Sequence, residues 1–188
     1  MFKTILLLAL FCCLVHCQDI FAAISNDDEE SVLKVLNTYS PNMVNKQDPT
    51  SRPINRKGHG GQTPLMYAVL NGKIWAVKIL LEYGANFEIK EENGYTPMHG
   101  AGFQGRPEIA QMLIDHGIPV NPKHKDGFAP IHRACWGKEQ RHADTVKVFL
   151  NNGVDIDTLA DDGRTCVDMT PNEETKKVLD HWETHKVL

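Results

Sequence analysis

The sequence predicts an all-α solenoid of about five stacked helix-turn-helix units joined by β-turn or hairpin loops. Three observations predict it. A start signal, Gly61-Gln-Thr-Pro-Leu, recurs as Gly94-Tyr-Thr-Pro-Met, Gly127-Phe-Ala-Pro-Ile and Gly163-Arg-Thr-Cys-Val, at spacings of 33, 33 and 36 residues. A second ladder, Gly84, Gly117 and Gly153, runs beside it at 33 and 36. Both ladders carry the same three-residue excess. One insertion between Trp136 and Ala143, within residues 138–141, accounts for both.

The start signal reads as a helix N-terminus. Thr63 and Thr96 are placed to cap orphan N–H groups. Pro64 and Pro97 follow at the first helical position, where a missing N–H does no harm. A short helix then runs to Gly72 or Gly105. A second helix carries apolar residues at helical spacing: Ile74, Val77, Leu80 and Leu81 in one unit, Ile109, Met112 and Leu113 in the next. Pro107 suits its first turn, and Gly84, Gly117 and Gly153 close these helices in the left-handed conformation. One such unit cannot cover its own apolar face, but stacked units can.

With those residues in place, the segments Thr63-Pro-Leu-Met-Tyr-Ala-Val-Leu-Asn-Gly72, Thr96-Pro-Met-His-Gly-Ala101 and Pro130-Ile-His-Arg-Ala134 resemble the ankyrin repeat. The likeness covers about residues 61–182. It divides the chain into repeats at 61–93, 94–126 and 127–162, the last with the insertion, and a C-terminal capping repeat and tail at 163–188. Residues 18–40 read as a degenerate N-terminal capping repeat that lacks the Thr-Pro start. Residues 41–60 hold Pro41, Pro49 and Pro53 beside Lys46, Arg52, Arg56 and Lys57. They read as a long, mobile, basic loop, either a tolerated insertion or an arm toward a partner.

Residues 1–17 are of another kind. Lys3 is followed by an unbroken apolar run over 5–15, too short to span a bilayer but suited to the core of a secretory signal peptide cut after Cys17. The expected location is therefore secreted or within the secretory lumen, or periplasmic in a bacterium. The alternative is a cytoplasmic regulatory protein that keeps this segment as structure. Cleavage would remove Cys12, Cys13 and Cys17 and leave Cys135 and Cys166. Adjacent repeats stack roughly 10 Å apart, beyond the ~4.4–6.8 Å Cα separation of a disulfide, so both are expected as free, buried thiols.

The chain carries a formal charge of −4 and no sustained basic run, which disfavours nucleic acid as a partner. Its nine histidines invite a metal or catalytic role. His99 and His132, however, fall where the resemblance implies a histidine bonded to backbone around the turn, and Met66 fills that position one repeat earlier. His181 and His185 are four apart but lack a third ligand. No phosphate loop, nucleophile elbow or calcium-loop spacing occurs. The expectation is a monomer with no catalytic residue, cofactor or metal.

The resemblance implies a protein partner docked on the concave side, on loop tips and first helices. Mapped onto this sequence, the tips offer Gln62, then Glu92, Asn93 and Tyr95, then Lys125, Asp126 and Phe128, then Arg164. The ends of the first helices offer Leu70 and Asn71, then Phe103 and Gln104, then Trp136. Tyr95 and Phe128 hold one register position in adjacent repeats, and Phe103 and Trp136 hold another. Stacking should gather these four aromatics into one patch, the usual anchor of an interface. Trp75 is expected to be a solitary residue on the outer side.

Overall fold

The structure is a computed structural model, and it describes residues 19–38 and 53–185. The leader expected at 1–17 lies outside these residues, as does most of the 41–60 stretch. Among the described residues ten α-helices form five pairs: α1 (Ile20–Ser25) with α2 (Glu29–Thr38), α3 (Pro64–Asn71) with α4 (Ile74–Glu82), α5 (Pro97–Gln104) with α6 (Pro107–Asp115), α7 (Pro130–Cys135) with α8 (Gln140–Asn151), and α9 (Cys166–Met169) with α10 (Glu173–His185). First members stack in one row, second members in another, and each pair touches chiefly its neighbours. This is a helical repeat solenoid, with no strand among the described residues.

The start signals work as helix beginnings. Thr63 Oγ1 accepts the Met66 N–H at 3.2 Å, with Pro64 at the first helical position. In α7, where Ala129 has no hydroxyl, His132 Nδ1 accepts the Ala129 N–H at 2.9 Å and its Nε2 donates to the Thr158 carbonyl at 3.0 Å. His132 is thereby committed to backbone. Between the two rows lies a continuous core that includes Leu65, Val77, Met98, Leu113, Ile131 and Phe149, all fully buried.

A carbonyl-capping ladder joins the pairs. The last carbonyls of a helix have no partner within it. Here the next unit reaches back to supply one. Lys73 Nζ donates to the Ser25 carbonyl at 3.3 Å, Arg106 to Leu70 at 3.4 Å, and His142 Nε2 to Phe103 at 3.3 Å. At the last step Asn172 Nδ2 donates instead to the connection between α7 and α8, to the carbonyls of Gly137 at 3.2 Å and Glu139 at 3.1 Å. Gly137 lies directly against His142, whose ring would collide with any Cβ there.

Three expectations are corrected. Cys135 and Cys166 are not free: they form a disulfide, with Cα atoms 5.6 Å apart. The roughly 10 Å spacing is that of helix axes; facing Cα atoms lie about 2.3 Å nearer on each side, which brings them within bridging range. Residues 53–60 are not a free loop. Ile54 and Asn55 are buried, Asn55 Oδ1 accepts the Asn86 N–H at 2.8 Å, and Gly58 packs on the Phe21 ring. Nor is Trp75 solitary, since its Nε1 donates to Asp27 at 2.9 Å.

Candidate functional site: the concave face

Each loop tip is a tight turn built the same way. The Glu91 N–H bonds the Tyr95 carbonyl and the Gly94 N–H bonds Glu91; His124 with Phe128 and Ala160 with Arg164 repeat the pattern. Gly127 shows why glycine opens each start signal. Its φ is 83° and a Cβ there would collide with Asp161 of the next tip. The tips are tied together by Glu92 N–H to Gly60, His124 Nε2 to Asn93 and Asp161 N–H to Gly127, at 3.1, 2.8 and 3.2 Å. They form one continuous rim.

Arg133 organises the middle of that rim. Its guanidinium lies 4.9 Å from the Tyr95 ring centroid, 5.2 Å from Phe128 and 4.6 Å from Trp136. It is paired with Asp126 and donates to Tyr95 Oη at 3.0 Å. Phe128 meets Trp136 edge-on at 4.9 Å, and Tyr95 stacks on His124 at 4.0 Å. Burial alone would raise the Asp126 carboxyl, but hydrogen bonds from His124, the Phe128 N–H and Arg133 outweigh it and hold it far below the carboxylate range. Tyr95 is pushed upward, chiefly by burial.

Beside this cluster opens a cavity of about 330 Å³. Gly100 lines it, at a register position one residue past the histidine site that Tyr67 and Arg133 hold in the neighbouring repeats. Gly100 contributes no side chain, and the space is lined by the apolar Met66, Leu70 and Phe103 together with Tyr95, His99, Arg133, Gln62 and Glu91. His99 is 2% exposed. Its Nδ1 lies 2.8 Å from Thr96 Oγ1 and accepts the Thr96 N–H at 3.4 Å, so the ring proton sits on Nε2. The Phe128 carbonyl lies against the His99 ring, whereas the buried Nε of Arg133 has no hydrogen-bond partner. Burial lowers the His99 pKa to about 4, with the Phe128 carbonyl opposing and the neighbouring His124 and Arg133 assisting.

The residues mapped from the sequence divide as follows. Tyr95, Phe128, Trp136 and Asp126 meet around Arg133. Phe103 makes no ring contact with the other three among the described residues; it stands 57% exposed and walls the cavity together with Tyr95 and Gln62. Glu92 and Asn93 bind their neighbours through backbone atoms at the rim. Lys125 is exposed. Arg164 is occupied by Asp162 at 2.7 Å, and Asn71 by the Tyr67 carbonyl at 2.8 Å. Gln104 is half-buried at the end of α5. Sequence reasoning placed Leu70 on this face but missed Arg133, and with it Met66, Glu91 and Gly100. The available signal was the Tyr–Gly–Arg alternation at one register position. Among the described residues no cluster of three His, Cys, Asp or Glu side chains could hold a metal ion.

A family model for ankyrin repeats, described as three copies, matches residues 20–124 and 83–160. Together the two matches cover most of the chain, and the protein belongs to the ankyrin-repeat family. No curated protein matches the chain.

Proposed function

We propose that this chain is an exported, monomeric, non-enzymatic binding protein that holds a protein partner on its concave face. Ankyrin repeats are generally protein–protein interaction modules. The observation that carries the proposal for this chain is the cavity walled by Met66, Leu70 and the exposed Phe103, set against a rim fixed by Arg133. A preorganised apolar recess beside ordered aromatics is what an interface anchor requires. The acidic balance argues against nucleic acid as the ligand. Export is supported by the apolar run at 5–15 and by the Cys135–Cys166 disulfide, a bond favoured in oxidising compartments.

The test places a photo-crosslinking p-benzoylphenylalanine at Phe103, and separately at the exposed Lys78 of α4 as an outer-face control. Partner adducts at 103 and none at 78 support concave docking; the reverse pattern sinks it. N-terminal sequencing of the natural protein tests export, with a start at Gln18 expected and a retained Met1 opposing it.

A further inference from the structure

We propose that the cavity between α3, α5 and α7 takes a linear peptide segment of the partner: one bulky apolar side chain, its adjoining neutral peptide carbonyl, and a lysine or arginine within two or three residues. This rests on concave docking and specifies what docks.

The walls set the first requirement. Met66, Leu70 and the face of Phe103 offer no hydrogen bonds, so an apolar group gains most by entering. About 330 Å³ lies at the small end of ligand pockets, a size for one or two side chains. The second requirement comes from a lining side chain that carries an unpaired buried N–H group, Arg133 Nε. It is a donor, so the occupant must bring an acceptor oxygen.

Charge decides which acceptor. Arg133 is already paired with Asp126. Glu91 lines the cavity, its carboxylate fixed by the Tyr95 N–H at 3.1 Å and by Asn93 at 3.2 Å, and exposed Glu92 adjoins it. Among the described residues neither glutamate has an ion-pair partner. A carboxylate entering here would face Glu91, whereas a peptide carbonyl would not. A basic residue beside it would gain from both glutamates.

The experiment uses the full chain and a positional-scanning library of acetylated, amidated hexapeptides, with binding read by fluorescence polarisation and the Arg133 Nε–H followed by 15N NMR. Expected is a preference of roughly tenfold or more for Leu, Met or Phe over Ala at one position, the effect of burying one such side chain, with Lys or Arg favoured nearby and the Arg133 Nε signal shifted. Phe103→Ala should weaken every peptide. Glu91→Gln keeps an acceptor for the Tyr95 N–H and should abolish only the basic preference. A preference for acidic residues, or peptides indifferent to both variants, overturns the proposal. So does a library that shows no binding while crosslinking at 103 still captures a partner; concave docking then stands and the linear peptide does not. Absence of both signals removes the two together.

Discussion

The Arg133 guanidinium lies 4.6 Å from the Trp136 ring centroid and is clasped by Tyr95 and Phe128 as well. The four groups come from two loop tips and one helix, so they have no common local cause. Arg133→Met keeps the length and apolar character of the stem but removes the charge that pairs with Asp126. Breaking a buried pair costs about 3–5 kcal/mol. The Asp126 side chain is 35% exposed, so water screens part of the loss, and about 1–3 kcal/mol is expected. Urea unfolding measures it, and near-UV circular dichroism should lose the Trp136 contribution. An unchanged near-UV spectrum would show that the aromatics hold one another without Arg133.

The Cys135–Cys166 bond ties α7 to the first residue of α9 across 31 positions of sequence. Closing a loop of that size is worth about 3–4 kcal/mol. In a stacked array such a loss is felt first by the unit that is tethered, because each unit contacts only its neighbours. Reduction under mildly denaturing conditions should therefore strip hydrogen-exchange protection from α10 before α3 to α6. Intact mass should be lighter by two hydrogens than the reduced chain. Uniform loss of protection from α1 to α10 would contradict this locality.

The solenoid was legible because its cause is periodic: Thr63-Pro64 and Thr96-Pro97 begin helices, Gly84, Gly117 and Gly153 end them, and repetition exposes both. The site was only half legible. Tyr95, Phe128 and Trp136 were visible as a register pattern, but the charge at their centre, Arg133, was hidden in a first helix. The cavity was hidden because its lining is drawn from three repeats, from Gln62 to Arg133, and no one motif holds it. The disulfide was misjudged because axis spacing stood in for Cα spacing. The capping ladder of Lys73, Arg106, His142 and Asn172 uses a different side chain at each step, so no motif announces it.

Gly102 tests how closely the first-row helices must approach. Its backbone is helical, so no turn demands glycine there. A Cβ would instead collide with the Pro130 carbonyl, a backbone atom that cannot rotate away. Gly102→Ala should thus destabilise by about 1–3 kcal/mol, although alanine favours a helix by about 1 kcal/mol. Chemical denaturation gives the sign directly. A stabilised variant would mean that α5 and α7 part without cost.

Acid should weaken the fold through His99. Its folded pKa of about 4 lies below the ordinary 6.5, so between those values the unfolded chain takes up a proton that the folded one refuses. Stability is therefore full above about pH 6.5, falls on the way to about 4, and is lost no further by this group below that. His132 is lowered by burial too and acts in the same direction. Asp126 does not oppose them in this window, because its folded carboxyl titrates below the ordinary carboxylate range. The groups facing His99, namely His124, Arg133 and Asp126, remain in place in the variant that isolates it. His99→Gln retains an acceptor for the Thr96 N–H, as in a capping box, and cannot be protonated. Wild type should lose up to about 3 kcal/mol more than His99→Gln between pH 6.5 and 4, read from urea titrations at each pH. Parallel curves for the two proteins would show that His99 opens to water and titrates normally in the folded state.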